Sequence, residues 1–76
     1  VALTKAEFLA KIGERIKSER LARQLTQGAL AQLIETHQSV VSRIEFGDQN
    51  LTIGTLFRVA AALNVNAAEL LPKDSA

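Results

Sequence analysis

The stretch THQSVVSRIEFG, residues 36–47, decides how this chain is read. Wound at about 100° per residue, it gathers Val40, Val41 and Ile44 on one side. Gln38, Ser39, Ser42 and Arg43 fall on the other, with Phe46 among them. The apolar side is ordinary helix-core material. A face that only meets water is more usually filled with Lys and Glu, which are better helix formers than serine. Amides, hydroxyls and a guanidinium on one outer face suit hydrogen bonding to a partner.

Working outward, helical signals dominate and no segment alternates like a strand. Thr4–Glu7, TKAE, has the form of a capping box, a hydroxyl and a carboxylate serving the first N–H groups of a helix. Phe8, Leu9, Ile12 and Ile16 then share one stripe, and the helix is expected to run to about Arg23. Thr26 is a good N-cap for a short second helix carrying Leu30, Ala31 and Ile34. The opening stretch supplies the third helix, Gln38–Phe46, stopped by Gly47. Thr52 can cap a fourth, with Ile53, Leu56, Phe57, Ala60 and Leu63 on its inner side. Asn66–Glu69, NAAE, is a second capping box and predicts a short fifth helix ending before Pro72, with a frayed tail over 73–76. The expectation is one all-α domain over 1–76, a compact five-helix unit.

Composition narrows the function. Seventy-six residues are near the lower limit for folding without staples, and the chain has no cysteine to supply disulfides or thiolate ligands. A 47% hydrophobic content can build the core instead. Nine basic and eight acidic residues leave a net charge of +1, which argues against a non-specific DNA coat built on many phosphate pairs. No apolar run approaches the ~20 residues of a membrane span, and the first residues lack the pattern of a signal peptide, so a cytoplasmic chain is expected. His37, the lone histidine, has no second ligand at metal-binding spacing. No Ser/His/Asp set, phosphate-cradling glycine loop or carboxylate dyad stands out, so neither an enzyme nor a cofactor is expected.

Residues 27–46 have the build of a helix-turn-helix. Ala31 is small where the second and third helices would cross, and a turn around Glu35–His37 is short enough to make that crossing steep. The third helix then projects its polar face outward. An α-helix fits the major groove of B-DNA, where an amide pairs with adenine and a guanidinium with guanine.

The chain resembles the lambda-repressor-like domain of the xenobiotic-response-element family of bacterial and phage regulators. The residues that carry the resemblance are IGERIKSER, LTQGALAQL, SVVSRIEFG and NLTIGTLFRVAAALNV, spanning Ile12 to Val65. QNLTIGTL further resembles the controller proteins of restriction–modification systems.

That likeness implies roles. Gln27 would bind a DNA phosphate and brace Gln38. Gln38, Ser39 and Arg43 match base-contacting positions, Ser42 a more variable one, and His37 and Asn50 positions where phosphate contacts are common. Arg20 sits on the apolar side of the first helix, where an unpaired charge would be expensive. In relatives the matching arginine pairs with a glutamate, here Glu45, so Arg20–Glu45 is an expected structural ion pair.

Four positions depart from the family pattern, one of them Thr36, where Val or Ile is frequent. Glu35 stands where Gly is usual, so a left-handed turn there would carry strain of about 1 kcal/mol. Phe46 replaces a polar residue and would either touch DNA or a partner, or fold over the core edge. Leu51 replaces a frequent Pro.

The resemblance implies a sequence-specific double-stranded DNA-binding regulator of transcription, acting as a homodimer at a palindromic operator. Leu63, Val65, Leu70 and Leu71 are the expected dimer surface. The alternatives are a DNA-binding antitoxin that also holds a toxin, and a protein-interaction module without DNA binding; a polymerase is another candidate protein partner.

Overall fold

The computed structural model describes residues 2–48 and 51–73. Four α-helices follow one another, α1 (Lys5–Ala22), α2 (Gln27–Leu33), α3 (Gln38–Phe46) and α4 (Ile53–Leu63), then one 3-10 turn at Ala67–Leu70.

Local chemistry starts these elements. Thr4 Oγ1 accepts from the Glu7 N–H at 3.1 Å, while Glu7 Oε1 accepts from the Thr4 N–H at 2.9 Å, closing the capping box. Thr26 and Thr52 cap α2 and α4 through the N–H groups of Ala29 and Thr55. Each satisfies a donor that the first helical turn leaves without a partner.

All four α-helices end alike. A residue in the left-handed region follows the last turn: Gln24, Glu35 and Asn64 at φ 58° and Gly47 at φ 80°. The next N–H then reaches back five residues, from Leu25 to Arg20, Thr36 to Ala31, Asp48 to Arg43 and Val65 to Ala60. This is the Schellman closure, which pairs carbonyls the helix itself cannot. Glu35 therefore occupies the strained turn conformation that glycine would adopt freely.

The fifth element differs from expectation. It is a single 3-10 turn rather than an α-helix. Its capping box is formed, with Asn66 accepting from Ala68 N–H and donating to Glu69 Oε1. Only four residues separate that cap from Leu71, which is extended at φ −84°, ψ 141°. Pro72 favours that extended conformation in the residue before it, so no i→i−4 ladder develops.

The core gathers Ile12 and Ile16 of α1, Leu30, Ala31 and Ile34, Val41 and Ile44 of α3, Leu56, Val59, Ala60 and Leu63 of α4, and Leu70. Two expectations on its edges are corrected. Phe8 is exposed, and so are Ile53 and Phe57, at 82% and 67%. Phe57 follows the buried Leu56 and is turned about 100° from it, off the core arc. Ile53 opens the helix, before the core begins.

Gly13 sets the approach of α1 to α3. A Cβ there would overlap the backbone carbonyl oxygens of Ile44 and Glu45. Without a side chain, α1 lies directly on the C-terminal half of α3 and brings Arg20, two turns further on, into reach of Glu45.

Candidate nucleic-acid interface

The α2–α3 unit is held by its own crossing and by two neighbouring helices. Ala31 is buried at the helix crossing, Gly13 admits α1, and from α4 Arg58 donates to the Ile34 carbonyl at the start of the turn. Val41, Ile44 and Glu45 face inward from α3. The opposite face is open: Gln38, Ser39 and Arg43 are exposed, and Ser42 is half-buried between the two faces. His37 is the exposed N-cap of α3, and its side chain makes no capping hydrogen bond. Phe46 is 82% exposed at the end of the same helix, so it does not fold over the core. Asn50 lies outside the described residues.

Arg20 and Glu45 are both buried and pair in two places. Arg20 Nε donates to Glu45 Oε2 at 2.6 Å and Nη2 to Oε1 at 3.0 Å. The remaining Nη1 donates to the Leu25 carbonyl at 2.7 Å, inside the α1 closure. Hydrogen bonding to Glu45 raises the Arg20 pKa above its usual value, against the lowering effect of burial. A guanidinium bonded through each of its three nitrogens fixes the roll of α3 about its axis, and hence which residues face out.

The pair extends to the surface. Gln27 Nε2 donates to Glu45 Oε1 at 3.1 Å, and Gln38 Nε2 donates to Gln27 Oε1 at 2.8 Å. One chain of hydrogen bonds thus links the buried Arg20 to the exposed Gln38. Sequence reading had no means of finding the Gln27–Glu45 bond, which joins positions 18 residues apart. It also missed Lys17, which lines a small cleft with Gln27, Ser42, Glu45 and Phe46. The only hint was a basic residue one turn before Arg20, on the same helix.

The expected dimer residues separate. Leu63 and Leu70 are fully buried in the chain's own core and offer nothing to a second copy. Val65 is half-buried and Leu71 is 39% exposed. Among the described residues, no group of three or more His, Cys, Asp or Glu could hold a metal ion, and no helix is long and apolar enough to cross a membrane.

A helix-turn-helix family model matches residues 16–70. Control protein C.SmaI from Serratia marcescens is 31% identical over 62 residues, covering 82% of this chain and 74% of that protein. The structure of the restriction–modification controller protein C.AhdI from Aeromonas hydrophila superimposes with a TM-score of 0.79 at 34% identity, covering 82% of this chain and 94% of that one. The fold also recurs inside an enzyme: hydroxypropylphosphonic acid epoxidase from S. wedmorenis matches at 28% identity and a TM-score of 0.82, over 91% of this chain but 36% of the epoxidase.

Proposed function

The chain belongs to the helix-turn-helix family, and from that premise we propose that it is a sequence-specific double-stranded DNA-binding regulator, of the restriction–modification controller kind. The observation that carries this reading is the two-sidedness of α3. Its inner face is locked by Val41, Ile44 and the Arg20–Glu45 pair, while Gln38, Ser39 and Arg43 stand outward. In the major groove, Arg43 and Gln38 would reach base edges. Gln27, His37, Asn50 and Lys17 would serve the phosphate backbone, which sets register without reading sequence. Chemistry plays no part in this role, which needs no cofactor and places the chain with the genome in the cytoplasm.

One helix reads only a few base pairs, too few to select a site among ~10⁶–10⁹ competitors in a genome. A homodimer on a palindromic operator, with recognition helices ~34 Å apart, supplies the missing selectivity. Ile53 and Phe57 on α4, with Leu71, are among the exposed apolar side chains and would cover such an interface. The same residues favour a second reading, an antitoxin whose toxin covers them.

Selection of sites from random duplex DNA, followed by binding at rising salt, tests the main reading. The expected result is a palindromic site bound far more tightly than random duplex. A chain that retains no duplex even at low salt would be an interaction module instead.

A further inference from the structure

Phe46 is 82% exposed, on a helix whose outer face is otherwise polar. At about 100° per residue, it stands about 80° round the helix from Gln38, and Arg43 about 140°. The ring therefore lies between the two edges of the outward arc, in line with Ser39 and Ser42. Its backbone is fixed. The Gly47 and Asp48 N–H groups close the helix on the Ile44 and Arg43 carbonyls at 3.1 and 2.9 Å, and a Cβ on Gly47 would overlap the backbone of Ala10 in α1. Cations flank the ring: Lys17 lines the same cleft from α1, and Arg43 is exposed on the other side. Among the described residues neither cation is in an ion pair. A protein pocket closing over the ring would strip water from both, whereas a duplex brings phosphates to them.

Resting on the DNA-binding reading, we infer that Phe46 is a specificity-determining residue that reads the C5-methyl group of a pyrimidine, thymine or 5-methylcytosine, in the major groove. The floor of that groove presents hydrogen-bond donors and acceptors at every base pair, and its apolar feature is the methyl at C5. A phenyl ring in the middle of the outward arc has no donor or acceptor to offer, so that methyl is its complement. Gln38 and Arg43, at the edges of the arc, suit the polar groups instead. Eight residues along an α-helix span about 12 Å, which puts the methyl about three to four base steps from the pair that Gln38 meets. The far end of α3 thereby gains a base contact that an amide or hydroxyl there would not make. The same contact makes affinity for the operator respond to cytosine methylation at one position.

The experiment uses the duplex that the wild-type chain selects from random DNA. Each thymine in it is replaced in turn by deoxyuridine, which removes only the methyl group. Burying one methyl is worth about fourfold in affinity. Wild type should lose about that factor at one position in each half-site, and Phe46→Ala should be indifferent to deoxyuridine there. With cytosine placed at that position, wild type should bind the 5-methylcytosine duplex about fourfold more tightly than the unmethylated one, and Phe46→Ala should bind the two equally. Phe46→Ala should melt as wild type does, because the ring already meets water. Lys17→Ala should weaken all duplexes but keep the full response to deoxyuridine. Wild type that tolerates deoxyuridine at every thymine, or a Phe46→Ala chain that keeps the wild-type response, would overturn the inference while leaving the DNA-binding reading intact. So would a Phe46→Ala chain that loses selected and random duplex alike with no position singled out, since the ring would then lie on deoxyribose. A response to deoxyuridine without one to 5-methylcytosine would overturn the methylation response and confine the contact to thymine. Failure of wild type to select any duplex would overturn the DNA-binding reading, and the inference with it.

Discussion

Arg20 and Glu45, 25 residues apart in sequence, meet as a buried two-point ion pair at 2.6 and 3.0 Å. Removing one partner leaves the other as a buried, uncompensated charge. Arg20→Met or Glu45→Leu alone should therefore cost about 3–5 kcal/mol, enough to endanger a domain of this size. The double variant should recover much of that loss, since two apolar side chains of similar volume need no pairing. Thermal melts of the three chains check this; single variants as stable as wild type would show that the pair contributes little.

The helix ends predict opposite effects of glycine. Glu35 is exposed and left-handed, so Glu35→Gly should be neutral or stabilise by up to about 1 kcal/mol, relief of strain against the freer unfolded chain. Gly47→Ala should destabilise by roughly 1–3 kcal/mol, because the added Cβ is left-handed and also meets the backbone of Ala10. Denaturant titrations of both measure the difference. Equal losses in the two would show that the closures carry no strain.

Groove-facing and backbone-facing residues should behave differently in binding. Arg43→Ala should relax preference at one base pair by about 1–3 kcal/mol. Lys17→Ala and His37→Ala should weaken selected and random duplex alike, and Lys17→Ala should lower the salt slope by about one. Competition with single-base variants separates the two patterns. A uniform loss from Arg43→Ala would remove α3 from the role of reader.

Dimer formation should depend on α4's outer side. Phe57→Ser and Ile53→Ser should leave the melting temperature of the monomer nearly unchanged, since both side chains already meet water. They should nonetheless raise the dissociation constant of the dimer. Leu63→Ser should instead unfold the chain, its side chain being fully buried. Analytical ultracentrifugation decides: a wild type that stays monomeric with and without its duplex refutes the assembly.

Acid should loosen α1 first. Glu7 is held below its usual 4.5, chiefly by the Thr4 backbone N–H, and Glu19 is lowered chiefly by its hydrogen bond with Arg23. A depressed carboxylate pKa contributes stability that is present above 4.5 and is lost as pH falls through the lower folded value. Glu7 is exposed and Glu19 is half-buried at the surface, so the effect should be small. Melting temperatures should be flat just above 4.5 and fall below it, less steeply in Glu7→Gln. Identical acid profiles for that variant and wild type would show that the cap carbonyl oxygen alone does the work.

Much of the fold was legible because its signals are local. Thr4, Thr26, Thr52 and Asn66 announced four helical starts from residues no more than three positions away. The apolar stripes of α2 and α3, and Ile12 and Ile16 of α1 without Phe8, followed from helical spacing, and Gly47 from the left-handed closure it makes easy. The Arg20–Glu45 pair was expected from a family likeness; charge spacing alone named no partner for Arg20.

What remained hidden depended on how the helices meet. Helical spacing says which residues share a face, but a shift of one residue turns a side chain by about 100°, and only packing against α1 and α2 decides where the core arc of α4 ends. Thus Ile53 and Phe57 lie outside it, while Leu63, expected both on the inner side of that helix and at a dimer surface, lies within it, and Leu70 of the 3-10 turn joins the same core. The last capping box formed yet made only a 3-10 turn, because Pro72 ends the run too soon. Lys17 came beside Ser42 and Phe46 only where Gly13 lets α1 and α3 close on each other, and Gln27 came to bridge Glu45 and Gln38 only where α2 packs on α3. Residue types and local order therefore determined the helices and the outward polar face. The angles between helices, which no local run of sequence encodes, decided which of those residues act together.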